Sequence, residues 1–255
     1  LMALLDVKNL TKNFGGLTAV GDVTLELNDG ELVGLIGPNG AGKTTLFNLL
    51  TGVYEPSEGS VTLDGHLING KAPYKIASLG LSRTFQNIRL FKDLTVLDNV
   101  LIAFGNHHKA HVFASFFRLP AFYKNEAALR EKALKLLKIF DLDGEAETLA
   151  KNLAYGQQRR LEIVRALATE PKILFLDEPA AGMNPQETAE LTELIRRIKN
   201  EFQITIMLIE HDMSLVMEVT ERIYVLEYGR LIAHGTPDEI KNDKRVIEAY
   251  LGGGA

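Results

Sequence analysis

The amino-acid sequence predicts an α/β fold in which a helical segment interrupts a mostly parallel sheet with flanking helices. Three observations support this prediction: short apolar strands in the first third, helical periodicity in the middle, and alternating strands and helices after Pro171. Such alternation is typical of βαβ units, which build parallel sheets. The 255 residues, of which 46% are hydrophobic, suit one large domain or one domain with a sizeable insertion.

Strand-like runs define the predicted core. In the first third they are short and bounded by Gly, Asn or Asp, and they cover 4–10, 20–27, 32–36 and 60–63. After Pro171 the alternating strands and helices cover 172–176, 187–200, 204–209, 213–219 and 223–226. We therefore predict an α/β core that consists of residues 2–87 and 156–255 and includes an antiparallel β part.

The middle of the chain follows a helical pattern. Between Ala127 and Phe140, apolar side chains recur every three or four residues and form one stripe along a helix. We expect a helical subdomain at 88–155, inserted into the core. Six aromatic residues within 104–123 would form either a contact surface for a partner or a small aromatic core. They are Phe104, Phe113, Phe116, Phe117, Phe122 and Tyr123.

Composition weighs against several classes of function. A net charge of −5 gives no general attraction to nucleic acid. No apolar run approaches the roughly 18 residues of a membrane-spanning helix, and the absence of cysteine excludes disulfides and thiolate metal sites. His107, His108 and His111 lie close together, but no carboxylate stands nearby at ligand spacing, so we expect solvated helix residues rather than a metal site.

A phosphate-binding loop is predicted between a strand-like run and a helix-like run. The loop reads Gly37-Pro38-Asn39-Gly40-Ala41-Gly42-Lys43-Thr44-Thr45. In this context the pattern G-x-x-x-x-G-K-[ST] binds nucleotide phosphates, because its glycines bring backbone N–H groups close to the phosphate oxygens. The helix N-terminus adds positive charge. We expect Lys43 to reach the β- and γ-phosphates of a nucleotide and the Thr44 hydroxyl to bind Mg²⁺.

Asp177 and Glu178 end a buried strand-like run that begins at Lys172. Neighbouring side chains of a strand point to opposite faces, so the two carboxylates need different roles. We expect Asp177 to bind the same Mg²⁺ as Thr44, and Glu178 to orient or deprotonate the water that attacks the γ-phosphate. In the alternative, Asp177 caps a turn and Glu178 is simply solvated; the phosphate-binding loop weighs against it.

Two further polar residues follow strand-like runs. Gln86 lies where the core gives way to the insertion, and its amide would contact Mg²⁺ or the attacking water. His211 follows the apolar run 204–210, at a strand's carboxyl end where ligands collect in open α/β sheets, and would bind the γ-phosphate. Taken alone, the two residues are better explained as a turn residue and a helix cap.

The segment 152–168 points to a family. It places Gly156 at the start of an amphipathic helix and so offers a second helix N-terminus to an anion. The residues Leu153-Ala154-Tyr155-Gly156-Gln157 stand where the ATP-binding subunits of ABC transporters carry their L-S-G-G-Q signature. The chain resembles that family over nearly its whole length, with the motifs in family order.

The resemblance implies roles for several residues. Gln86 matches the Q-loop, His211 the switch histidine, and Gly182-Met183-Asn184 the D-loop. Phe14 matches the aromatic residue that stacks on adenine, although a phenylalanine alone is more often part of a core. By resemblance, ATP is sandwiched between the P-loop of one subunit and the signature residues of another, which also gives Leu153, Ala154, Tyr155, Gly156 and Gln157 a place in the nucleotide site.

Three positions depart from the family pattern. Ala154 and Tyr155 replace a Ser and a Gly of the signature, and Asn184 replaces the usual D-loop Asp. These departures would lower the intrinsic rate of ATP hydrolysis. The runs LAYGQQRRLEI and LDEPAAGMNP nevertheless resemble the ATPase subunits of branched-chain, hydrophobic amino acid importers, as do 111–120 and 246–252.

That resemblance implies an ATPase that powers import, with ATP and Mg²⁺ as cofactors. Its expected partners are transmembrane permease subunits, a second ATP-binding subunit in a homo- or heterodimer and, indirectly, a solute-binding protein, but no nucleic acid. The expected location is peripheral, on the cytoplasmic face of the inner membrane.

Other classes of protein remain as alternatives. One is the ATPase of a lipid or lipopolysaccharide exporter, or of an importer for another solute. A soluble ABC protein acting on DNA or ribosomes fits less well, because such proteins carry long coiled coils or two tandem nucleotide domains. A module that binds nucleotide without hydrolysing it would lack Lys43 or Glu178, and both are present.

Overall fold

The computed structural model describes residues 3–104 and 120–251. The strands in these ranges are β1 (Leu5–Phe14), β2 (Leu17–Leu27), β3 (Leu32–Ile36), β4 (Glu58–Leu63), β5 (His66–Leu67), β6 (Leu81–Arg83), β7 (Ile173–Asp177), β8 (Thr205–Ile209), β9 (Arg222–Glu227) and β10 (Arg230–Gly235). The α-helices are α1 (Lys43–Leu50), α2 (Pro73–Ser78), α3 (Val96–Phe104), α4 (Pro120–Ile139), α5 (Tyr155–Leu167), α6 (Pro185–Phe202), α7 (Met213–Val219), α8 (Pro237–Asn242) and α9 (Lys244–Leu251).

The chain divides into two compact units. The first runs up to Arg83 and resumes at Lys172, and the second is Thr84–Pro171. The boundaries at 88 and 155 that the sequence suggests for the helical subdomain fall within the second unit and stay a prediction. No helix in the described ranges has both the length and the apolar character needed to cross a bilayer.

A six-stranded sheet forms the centre of the first unit, in the order β10-β9-β3-β8-β7-β6. The neighbours from β9 to β6 pair in parallel, and β10 joins the edge in antiparallel orientation. Every residue of β3, β7 and β8 is buried, which explains their continuous apolar runs. The predicted parallel α/β core is confirmed.

A second sheet in the same unit is antiparallel, in the order β2-β1-β4-β5. Buried and exposed residues alternate along β2 from Val23 to Leu27, as expected for a sheet with one face on a core. The strand predicted to end at Leu10 continues to Phe14, because shifts in the register let β1 pair irregularly with β2. Helix α1 contributes Phe47, which stacks on Phe175 of β7 with ring centroids 4.6 Å apart.

The described part of the second unit is helical. It contains helices α3, α4 and α5, and two short 3-10 turns, Asp143–Glu145 and Ala150–Asn152, lie between α4 and α5. Four residues of the predicted stripe are buried and Leu129 is partly buried, which confirms the stripe; the four are Ala133, Leu136, Leu137 and Phe140. Phe104 is also buried. Phe113, Phe116 and Phe117, and also His107, His108 and His111, lie outside the described residues, whereas Phe122 and Tyr123 belong to helix α4. The predictions about all of these residues stay predictions.

Candidate nucleotide-binding site

The phosphate-binding loop lies between β3 and α1, and packing makes glycine necessary at two of its positions. Gly37 has φ +154°, and a Cβ atom there would lie 2.0 Å from the Leu226 carbonyl oxygen. Gly42 has φ +99°, and its Cβ would lie 2.6 Å from the Ala19 oxygen. The loop is also tied to the turn after β9, because the Gly229 N–H donates to the Ala41 oxygen at 2.8 Å.

Helix α1 begins with its N-terminus directed into this loop. Gly42 is the N-cap residue, and no side chain caps the helix. The first N–H groups of a helix have no intrahelical partner, so an uncapped N-terminus favours an anion. Thr44 in the first turn is exposed, as are Asn39 and Gly40, so this part of the predicted loop is accessible to a ligand.

Lys43 is folded back onto the loop. Its Nζ donates to the Gly37 oxygen at 2.6 Å and to the Pro38 oxygen at 3.1 Å, and the residue is 6% exposed. Burial lowers the pKa of Lys43, and the negative charge of Glu178 opposes that shift. The ammonium is therefore held by neutral carbonyl oxygens, which a phosphate would readily replace as a stronger, charged acceptor.

Asp177 is the last residue of β7 and is buried. Arg83 Nη2 lies 3.3 Å from its Oδ2, while Nη1 of the same guanidinium donates to Asn48 Oδ1 and Thr51 Oγ1, each at 2.9 Å. Arg83 thus links the Asp177 carboxylate to the end of α1. The oxygen donors of Asp177 and Thr44 fit Mg²⁺, which is commonly held by a few protein oxygens together with water and phosphate oxygens. Among described residues, no group of three or more His, Cys, Asp or Glu side chains could hold a metal by itself.

Glu178 and His211 meet at the carboxyl ends of neighbouring strands. Asp177 of β7 pairs with Ile209 of β8, and His211 Nε2 lies 2.7 Å from Glu178 Oε1. Glu178 has φ +46°, which is uncommon for a residue with a side chain and occurs often at functional sites. The alternative role of His211 as a helix cap is wrong, because Asp212 accepts the N–H groups of Ser214 and Leu215 instead.

Glu210 is a site residue that sequence analysis missed. It is buried beside the Glu178–His211 pair, where Oε1 accepts the Ala180 N–H at 2.6 Å and Oε2 accepts the His211 N–H at 3.0 Å. Burial raises the pKa of Glu210, and the charge of Glu178 adds to that effect, while the N–H donors oppose it. One carboxylate therefore fixes both the turn after Glu178 and the main chain of His211. A charged residue at the end of an apolar strand-like run is the only signal in the sequence.

Phe14 is the last residue of β1 and is not part of the core, since it is 43% exposed. Tyr54, which the sequence did not indicate, meets the ring edge-on with centroids 5.4 Å apart. Lys12 Nζ lies over the Phe14 ring, 5.1 Å from its centroid. An exposed ring supported in this way is suited to stacking on another flat group.

Asn184 caps helix α6. Its side chain accepts the Glu187 N–H at 3.0 Å, and Glu187 Oε2 accepts the Asn184 N–H at 2.9 Å, which is a complete capping box. Asn and Asp cap helices about equally well. The replacement of the family's Asp therefore leaves the local structure of this turn intact.

The signature residues and Gln86 belong to the second unit. Helix α5 begins at Tyr155, so Gly156 and Gln157 lie in its first turn as predicted. Leu153 is buried, whereas Ala154 and Tyr155 are exposed. Gln157 Oε1 accepts the Ala154 N–H at 3.1 Å. The residue Gln86 is exposed and follows the end of β6 without being part of a helix or strand.

Comparison with known proteins identifies the family of this chain. A profile of the ABC transporter family matches residues 20–181, and a profile described as branched-chain amino acid ATP-binding cassette transporter matches residues 230–255. The chain is 50% identical over 249 residues to the high-affinity branched-chain amino acid transport ATP-binding protein LivG of Salmonella typhimurium, covering 98% of each chain. It is 33% identical over 251 residues to the lipopolysaccharide export system ATP-binding protein LptB of Haemophilus influenzae, again covering 98% of each.

Among solved structures, the ADP conformation of an ATP-binding cassette of an ABC transporter superposes with a TM-score of 0.85. It shares 34% identity, and the match covers 99% of this chain and 100% of that one. The family profile, the relatives and the structural match all point to the same family. The chain therefore belongs to the ABC transporter family, as one of its ATP-binding proteins.

Proposed function

We propose that this chain is the ATP-hydrolysing subunit of an importer for branched-chain, hydrophobic amino acids. The observation that carries the proposal is the pairing of Glu178 with His211 at 2.7 Å, next to Asp177 and in the same unit as the phosphate-binding loop. A carboxylate held in this way suits proton abstraction from water. The 50% identity to LivG over 98% of both chains supports the choice of solute class.

The phosphates of ATP bind to the loop 37–45 and the N-terminus of α1. Lys43 leaves the carbonyl oxygens of the loop for the β- and γ-phosphates, and its charge offsets theirs. The residues that would hold Mg²⁺ are Thr44, Asp177 and, by resemblance, Gln86. When bound, Mg²⁺ neutralises charge on the phosphoryl oxygens.

Hydrolysis uses Glu178 as the general base. Its carboxylate takes a proton from a water molecule while the water oxygen attacks the γ-phosphorus, and the bond to the bridging oxygen of ADP breaks. His211 fixes the orientation of Glu178 through Nε2. With ATP bound, the imidazole is close enough to the base to bind the γ-phosphate as well.

A second ATP-binding subunit completes the site. Residues 153–157 of one subunit close over ATP held by the P-loop of the other, with the N-terminus of α5 facing the γ-phosphate. Phe14 stacks on adenine, and Asn184 lies in the D-loop between the sites. Closing and reopening of this dimer drives permease subunits, which hold the chain at the cytoplasmic face of the inner membrane.

The competing proposal is an ATPase of lipopolysaccharide export. It is supported by 33% identity to LptB over the whole chain. The higher identity to LivG and the match of residues 230–255 to the branched-chain profile favour import of amino acids.

Phosphate release by the purified chain at saturating ATP tests the proposed chemistry. Replacing Glu178 with Gln keeps the size of the side chain but removes the base, so turnover should fall by about 10²-fold or more. Binding of ATP, measured by equilibrium titration, should persist. A Glu178→Gln variant that releases phosphate at the wild-type rate would show that the general base has been assigned wrongly.

A further inference from the structure

A buried arginine in helix α5 binds the main chain around Gln86. Arg159 Nη1 donates to the Phe85 oxygen at 2.8 Å, and Nη2 donates to the Gln86 oxygen. The side chain of Arg159 is 3% exposed, so these bonds form away from water. Both bonds reach a segment more than 70 residues away in sequence but in the same compact unit.

Glu162, one turn further along α5, accepts hydrogen bonds from the same segment, whereas Arg159 donates them. Its Oε2 lies 3.1 Å from Arg159 Nη1, and its Oε1 accepts the N–H groups of Phe85 and Arg89, each at 3.3 Å. The Glu162 side chain is 6% exposed. Burial raises the pKa of Glu162, while the charge of Arg159 and the two N–H donors oppose that shift.

Residues 84–89 form neither helix nor strand, so their main-chain groups need other partners when they are buried. The Arg159–Glu162 pair supplies donors and acceptors together. A buried ion pair adds little net stability, because desolvation of the charges offsets their attraction. Its effect here is positional: four bonds from one helix turn fix the path of the segment that carries Gln86.

Arg159 also contacts the signature itself. Its guanidinium carbon lies 5.8 Å from the centroid of the Tyr155 ring, a distance at which a cation and an aromatic face attract each other. Tyr155 stands where the family pattern has a glycine. The tyrosine ring therefore extends the connection from the Gln86 segment to the N-terminus of α5.

We propose that Arg159 and Glu162 clamp residues 85–89 to the signature helix, so that Gln86 and the signature residues move as one body. The two residues are positioning residues, since they act through the main chain of Gln86 and touch no nucleotide. This proposal rests on the proposed role of Gln86 toward Mg²⁺ or the attacking water. A shift of Gln86 when ATP binds is then passed directly to the helix N-terminus that faces the partner's ATP.

Hydrogen exchange of the full chain without nucleotide tests the clamp by itself. The variants are Arg159→Gln and Glu162→Gln, and Arg130→Gln serves as a control because Arg130 is an exposed arginine of the same unit that pairs with Glu147. We expect the Phe85 and Arg89 amides to exchange about tenfold faster or more in both clamp variants and unchanged in the control. Unchanged exchange in both variants would refute the clamp, and this result does not depend on whether the proposed ATPase function is correct.

Turnover and binding then test the positional role. In Glu162→Gln, kcat for ATP should fall about tenfold while the Kd for ATP changes less than about twofold, because only an interaction needed in the transition state is lost. Arg159→Lys keeps the charge without the planar fork and should give an intermediate kcat. Fast exchange at Phe85 with wild-type kcat would contradict the positional role. If Arg159→Gln unfolds, with fast exchange throughout β7 and β8, the isosteric Glu162→Gln decides the question.

Discussion

The charge of Lys43 is held by neutral carbonyl oxygens inside the loop that contains it. This arrangement keeps the ammonium at the site although burial lowers its pKa. It also makes the lysine a stronger partner for phosphate than for the loop, since hydrogen bonds between charged groups are stronger than those to neutral oxygens.

Replacing Lys43 with Ala should therefore weaken ATP binding. The loss of charge-assisted hydrogen bonds should raise the Kd for ATP by about tenfold to a hundredfold or more. Titration with a fluorescent ATP analogue measures the change, and Lys172→Ala is a matched control because Lys172 pairs with Asp64 at an exposed position. Equal affinity in the two variants would contradict the role of Lys43.

Glu210 gives a prediction that separates positioning from binding. In Glu210→Gln the amide nitrogen cannot accept an N–H, so either Ala180 or His211 loses its buried partner. The Glu178–His211 pair should loosen, and kcat should fall about tenfold with little change in the Kd for ATP. Steady-state kinetics and equilibrium binding measure the two quantities. A variant with wild-type kcat would show that the Glu178–His211 geometry does not depend on Glu210.

At the scale of elements, sequence patterns predicted best where burial is complete. Strands β3, β7 and β8 could be located in the sequence from their continuous apolar runs. Such runs arise because both faces of a central parallel strand are covered. Strand β10 was not predicted, because its burial is mixed and its pairing with β9 shifts register. The sequence pattern does not predict helix α2 either, because only Ile76 of its six residues is buried and no apolar stripe results.

The loop between β3 and α1 allows a test of why it contains glycine. Gly37→Ala places a Cβ atom 2.0 Å from the Leu226 oxygen, so the loop or the end of β9 must move. We expect a loss of about 2 kcal/mol or more in the free energy of unfolding. At Gly40 φ is +79°, and a Cβ atom there would have no other atom within 4 Å. Gly40→Ala therefore tests the backbone strain alone and should lower the free energy of unfolding by about 1–2 kcal/mol.

Urea denaturation of the two variants gives the comparison. If Gly37→Ala unfolds at the same urea concentration as Gly40→Ala, the contact with the Leu226 oxygen does not limit the loop.

In the molecule as a whole, each of the two compact units contains residues that the motifs predict for nucleotide binding. The loop, Asp177, Glu178 and His211 belong to the first, and Gln86 with the signature residues belongs to the second. The sequence predicted these residues because each stands in a short motif. It could not predict Glu210, Arg159 or Glu162, because they bind main-chain atoms of residues brought near only by folding. No local pattern encodes such contacts.

We propose that ATP hydrolysis at Glu178 powers the uptake of branched-chain amino acids. Uptake of labelled leucine, isoleucine and valine should be measured in cells that lack this protein and are then supplied with the wild type or with Glu178→Gln. We expect the wild type alone to restore uptake. No change in uptake of any of the three under any condition would contradict the claim for branched-chain amino acids and direct the search to other solutes or to export.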